Sequence, residues 1–191
     1  LQLMIFLITS YSIGVEIKRR TARSWLAAAD GSMVRALLGK LLPHTLIFLL
    51  VGWSLQGLLY GWMGYPLQSS WWSMAGAMLA LVLSAQSLGA FFVALIPVLR
   101  MSLSLGSLLG MLSFSISGMS IPVSTMSPAV QALSHIFPLR YYYQIGINQA
   151  LVGAPWVEAM PLYLGLLAFL LLPLVTLPRL RHYLLHMDYI A

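Results

Sequence analysis

Charge is what this sequence lacks. Asp, Glu, Lys and Arg together make up 7% of its 191 residues, against about 25% in an ordinary soluble domain. Hydrophobic residues make up 60%, and the mean hydropathy is +0.90. A chain with so little polar surface cannot cover itself in water, so its solvent is lipid. There is no cysteine, which excludes a disulfide framework and a thiolate metal site. None of the four acidic residues lies deep in an apolar run, where proton- or sodium-coupled carriers generally need one. No P-loop is present, so the chain cannot itself cradle a nucleotide. No HExxH or GxSxG pattern occurs, and the four histidines show no metal-ligand spacing, so a membrane enzyme fits poorly. No catalytic, cofactor-binding or metal residue is therefore assigned. The net charge of +6 does not point to nucleic acid. Lys18, Arg19, Arg20 and Arg23 flank apolar runs, where headgroups and topology account for them.

The apolar runs themselves predict an all-α fold, a polytopic helical bundle of about five crossings. They are Leu1–Gly14, about Leu41–Met63, about Ser73–Val98, about Met101–Met119 and about Pro161–Leu177. Lipid offers the backbone no partners, so each crossing must be a helix. Runs such as Met78–Leu83 do not alternate as barrel strands do. Pro43, Pro97 and Pro173 are read as kinks or ends. The first run would rise only about 21 Å, short of the roughly 30 Å hydrocarbon layer. It reads as the tail of a helix whose start is missing, in a single transmembrane domain spanning 1–191. Nine of the ten Lys and Arg residues lie between the first two runs, at the turn near Arg100, or after the last run. For five crossings these regions share one side. The positive-inside rule makes that side, with residues 15–40 and the C-terminus, cytoplasmic.

Three segments stand out. In the first loop, Ala22, Trp25, Leu26 and Ala29 form an i, i+3, i+4, i+7 stripe with Arg19, Arg20 and Arg23 off it. Asp30-Gly31-Ser32 reads as a stop and a new N-cap. The result is a short amphipathic helix, either a surface anchor or a docking helix. In the long outer connection from Ser120 to Met160, Ser127-Pro128 is a cap followed by proline at the first helical position. Val130, Leu133 and Phe137 share a face and Pro138 ends the element. A second helix runs from about Leu139 to Val152 with Gly153 as its stop. The pair dips into the outer half of the membrane as an interfacial anchor or as a gate, and Tyr141, Tyr142 and Tyr143 suit an interface belt. In the fourth run, Ser102, Gly106, Gly110, Ser113 and Ser117 recur at spacings of three and four. Such a stripe lets another helix approach, within the chain or from a second copy. Gly57 and Gly61 repeat the pattern in the second run. His44, Gln56 and Gln86 are the main polar residues in the spans, and His44 reads as a satisfied group.

Several of these residues together resemble the ABC-2 type transporter permeases. Gly14-Val15-Glu16, Thr21, Leu26 and Leu38-Gly39-Lys40 are similar to that family's cytoplasmic loop, with Arg20 where glycine is common. Ser117-Gly118, Pro122, Met126-Ser127-Pro128, Gln131 and Phe137-Pro138 resemble its stretch between the last two helices. The likeness spans nearly the whole chain and leans toward exporter-like permeases that work beside a membrane-fusion adaptor. It implies that the five runs are helices two to six. It implies that Glu16, Thr21, Ala22, Trp25, Leu26 and Asp30 belong to a coupling loop touching a separate ABC ATPase subunit, which supplies the ATP. The fourth run would carry the dimer and pathway face, in a homodimer or with a second permease. Pro122, Pro128, Gln131, Phe137, Pro138 and Tyr141 would belong to a re-entrant outer gate. The implied role is an exporter subunit in the cell (inner) membrane. The alternatives are a non-transporting scaffold that recruits a cytoplasmic partner, and an ion-coupled carrier, which the missing acids oppose.

Overall fold

The computed structural model describes residues 1–19, 21–119 and 121–186. Nine α-helices and no strand occur among them: α1 (Gln2–Arg19), α2 (Ala22–Ala27), α3 (Met33–Gln56), α4 (Trp71–Leu95), α5 (Leu99–Ile116), α6 (Pro128–Ser134), α7 (Pro138–Ile145), α8 (Trp156–Ala168) and α9 (Leu171–His186). π-Helical turns extend α3 over Gly57–Trp62 and α7 over Gly146–Leu151. Arg20, part of the basic loop, and Ser120, the first residue of the outer connection, lie outside the described residues.

Four helical stretches are long and apolar enough to cross a membrane: Met33–Trp62, Trp71–Leu95, Leu99–Ile116 and Trp156–Leu184. The chain is a multi-pass membrane bundle. α1 is not among the four, because Glu16, Lys18 and Arg19 load its last turns with charge. It is nevertheless the bundle's fifth long member, with Ile5, Phe6 and Ile13 buried. The centre is α4, whose Met74, Ala77, Leu81, Ala85, Leu88 and Val93 are all buried. Small residues on it admit close neighbours. A Cβ on Gly89 would sit 3.1 Å from the Phe6 carbonyl oxygen. α3 shows the opposite face of the same chemistry. Leu42, Leu46, Ile47 and Leu50 are more than half exposed, an apolar surface that water would reject and lipid accepts.

Two clusters mark the ends of the bundle. At the basic end, Ile17 of α1, Leu26 of α2, Met33 and Leu37 of α3, Val93 of α4 and Leu180 of α9 pack together. At the other end, Met74 and Ala77 of α4 meet Ile145 of α7, Ala150 of its π-helical extension and Leu166 of α8.

The last crossing differs from the sequence expectation. It starts earlier, at Trp156, and runs on through the basic tail to His186, broken at Phe169 and Leu170. Pro173 sits in the first turn of α9, where its missing N–H costs nothing, and its ring opposes the carbonyl four residues back, at Phe169. Pro43 lies inside α3, and Pro97 sits in the turn between α4 and α5. Arg100 is already in the first turn of α5.

Candidate functional site

The loop between α1 and α3 is held by a compact polar knot. Glu16, on the last turns of α1, accepts hydrogen bonds from Thr21 Oγ1 and from Lys40 Nζ of α3. Both side chains of the Glu16–Lys40 pair are 17% exposed. The Lys40 ammonium also stands 4.8 Å from the centroid of the Trp25 ring, a cation–π contact. The backbone joins in: Thr21 N donates to Glu16 O at 3.2 Å and Trp25 N to Thr21 O at 3.0 Å. Burial alone pushes the Glu16 carboxyl up, but the hydrogen bonds from Lys40 and Thr21 outweigh it and hold the group below its usual range.

Around this knot α2 lies against the bundle. Its stripe turns inward as the periodicity requires: Ala22 and Leu26 are buried, and Trp25 and Ala29 are half-buried. Arg23, Ser24, Ala27 and Ala28 are exposed. The helix is shorter than the sequence suggests. Its end is a left-handed pair, Asp30 at φ 53° and Gly31 at φ 73°, with Gly31 N donating to Leu26 O at 2.9 Å. Asp30 tolerates that conformation as few side chains do, and it pairs with Arg35 at 3.0 Å on the exposed surface. Ser32 then accepts from Arg35 N at 3.5 Å to start α3. Between α2 and α3 an open cleft of about 520 Å³ is lined by Trp25, Ala28, Asp30, Arg35, Gly39 and Lys40. A Cβ on Gly39 would meet nothing within 4 Å.

The small-residue stripe of α5 is filled by α1 of the same chain. A Cβ on Gly106 would fall 2.1 Å from Phe6 Cε1, and one on Gly110 would fall 2.3 Å from Leu3 Cδ1. Ser113 accepts from Gln2 Nε2 at 3.3 Å, and Ser102, Ser113 and Ser117 are buried. The face of α5 left open to a second chain carries Met101, Leu108, Met111 and Phe114 instead. Gly57 and Gly61 face open space.

The outer hairpin forms as the prolines dictate, with one reversal. Pro128 opens α6 and Pro138 opens α7 rather than closing the helix before it, since proline suits a first turn. Pro122 precedes a 3-10 turn, Val123–Thr125. Gln131 Nε2 donates to Met126 O at 2.9 Å. Phe137 and Pro138 are buried, and Phe137 reaches the N-terminal end of α1 and the middle of α5 beside Leu3, Phe6 and Leu109. Leu133, expected inward, is exposed, while Ser134 is buried. The reason is Arg140, a buried cation that donates from Nη1 to Ser134 Oγ and, at 3.3 Å, to the Gln131 carbonyl. Sequence pattern marked Arg140 only as the lone cation on its side. The three tyrosines are half-buried. Tyr141 stacks at 6.1 Å on Phe169 and closes over Gly165, and Tyr142 accepts from Gln56 Nε2 at 3.1 Å. His44 is satisfied by the Lys40 carbonyl at 3.0 Å.

The model of the ABC-2 family transporter proteins matches residues 1–177. This chain belongs to the ABC-2 transporter family. No curated protein and no solved structure matches it. As an ABC-2 family member it is a permease-type membrane component, and the family in general works with an ABC ATPase. Of the residues that carried the family resemblance, Glu16, Thr21 and Lys40 form one contact network, while Leu26 is buried in the neighbouring apolar cluster and Gly39 lines the open cleft.

Proposed function

We propose that this chain is the membrane-spanning subunit of an ATP-binding cassette exporter in the cell membrane. A separate ATPase subunit seats on α2 and the cleft beside it, at the cytoplasmic face. The observation that carries the reading is the Glu16–Lys40–Trp25 knot. It ties a short exposed helix to the ends of α1 and α3, while Leu26 ties it to α9. A push on α2 is then shared by several crossings rather than absorbed by a loose loop. α1 carries the displacement along α4 and α5 to the far end, where Phe137 anchors the outer hairpin. Two copies meet through the open face of α5, and substrate passes between them. A membrane-fusion adaptor completes the exporter on the outer side.

Gly39→Trp fills the cleft from a position with free space around it. In membranes it is expected to keep its insertion and fold yet fail to bring down a P-loop ATPase, and vesicles carrying it should lose ATP-dependent efflux. Undiminished ATPase capture by this variant sinks the docking site. Capture without any ATP-dependent flux in the parent protein leaves a scaffold instead of a transporter.

A further inference from the structure

One cavity lies apart from the loop, the α5 face and the outer hairpin. It is a cleft of about 340 Å³ between α3, α4 and α9, whose wall includes Val34, Leu42, Leu46, Leu83, Leu174 and Leu177. Of its three polar side chains, Thr45, Gln86 and Ser87, the first two are engaged with one another. Thr45 Oγ1 donates to Gln86 Oε1 at 2.9 Å, and Gln86 Nε2 donates to Leu41 O at 3.4 Å. Ordered water needs two to four polar partners, so this wall does not hold it. All three helices lie in stretches fit to cross the bilayer, and the medium at their surface is hydrocarbon.

Length and width choose the occupant. From Val34 to Leu46 the groove follows α3 for about 18 Å at a helical rise of 1.5 Å per residue, close to one leaflet of a roughly 30 Å hydrocarbon layer. A second helix about 10 Å across would occupy about 1,400 Å³ over that length, more than the roughly 1010 Å³ of empty space in the cleft and its mouth. One extended hydrocarbon chain fits. The groove also ends among cations. Leu177 is followed on α9 by Arg179 and Arg181, both exposed. Arg181 lies one turn beyond Leu177 on the face of α9 that lines the groove, and it has no acidic partner among the described residues, whereas Arg179 turns to the other side of the helix and donates to the Tyr183 hydroxyl at 3.3 Å. Arg35, next to Val34, stands at the same end with Asp30.

We infer that this groove is a binding site for an anionic phospholipid, one acyl chain lying along α3 and α9 and the phosphate held by Arg181. The site depends only on the membrane setting, so it stands or falls apart from the ATPase docking proposed above.

Native mass spectrometry of the purified full chain, delipidated and then titrated with phosphatidylglycerol or phosphatidylcholine, tests it. One phosphatidylglycerol should be retained per chain in preference to phosphatidylcholine. Leu174→Trp blocks the groove from a half-exposed position and should abolish that retention. Leu50→Trp, on the lipid-facing side of α3 outside the groove, should leave it unchanged. Arg181→Gln should weaken phosphatidylglycerol retention about fivefold and phosphatidylcholine retention less, while Arg179→Gln, on the other side of α9, should change neither. Equal retention of the two lipids by the parent, or undiminished retention in a folded Leu174→Trp variant, overturns the site.

Discussion

Phe6 of α1 occupies the space that a side chain on Gly106 of α5 would need: a Cβ there would lie 2.1 Å from the Phe6 ring. The two helices are held at that approach by shape. Gly106→Leu overfills the contact and should cost about 1–3 kcal/mol, read as a lowered Tm in detergent. Pairing it with Phe6→Ala should restore much of the loss, since the ring is what the new side chain meets. Additive losses in the double variant would refute the pairing.

The chain's freedom from cysteine makes the proposed dimer face directly readable. Met111→Cys, on the open side of α5, is expected to cross-link to a second copy in native membranes. Gly110→Cys, one residue away and turned toward Leu3, is not. Cross-linking only at position 110 would reverse the assignment of the two faces.

Glu16 and Lys40 should couple strongly. Glu16→Gln leaves Lys40 largely buried without its anion and is expected to cost about 1.5–3 kcal/mol. Glu16→Gln with Lys40→Met should recover part of that, because the unpaired charge has gone. Chemical unfolding of the single and double variants gives the interaction term.

The same carboxylate sets a pH dependence. Its folded pKa is lowered from an ordinary 4.5, so its contribution is complete above that value and is lost as pH falls through the lower folded pKa. The parent should therefore lose stability only below about pH 4.5, with no change attributable to Glu16 between pH 5 and 8. In Glu16→Gln the acid limb should be shallower. An identical acid limb in both proteins would show that the clamp does not titrate.

Arg140 staples α6 to α7 through Ser134 and the Gln131 carbonyl. Arg140→Met keeps the bulk and removes those bonds. Amide exchange across 128–145 should accelerate, with α4 unaffected. Unchanged exchange there would mean that Phe137 alone holds the hairpin.

Much of this protein is fixed by composition and spacing. Apolar runs bounded by positive charge leave helices as the only way to satisfy the backbone in lipid, and Pro128, Gly31 and Gly153 mark their ends by local dihedral limits. The amphipathic helix α2 was legible for the same reason: the Ala22, Trp25, Leu26, Ala29 spacing defines a face before any partner is known. Tertiary structure decided what those faces touch. A stripe such as Gly106 and Gly110 says only that something comes close, and packing alone selected Phe6 and Leu3 over a second copy. Pro138 could end one helix or begin the next, and the burial of Arg140 against Ser134 settled it. The groove beside Leu174 has no sequence signature, because a cavity is a relation among three helices rather than a property of any one.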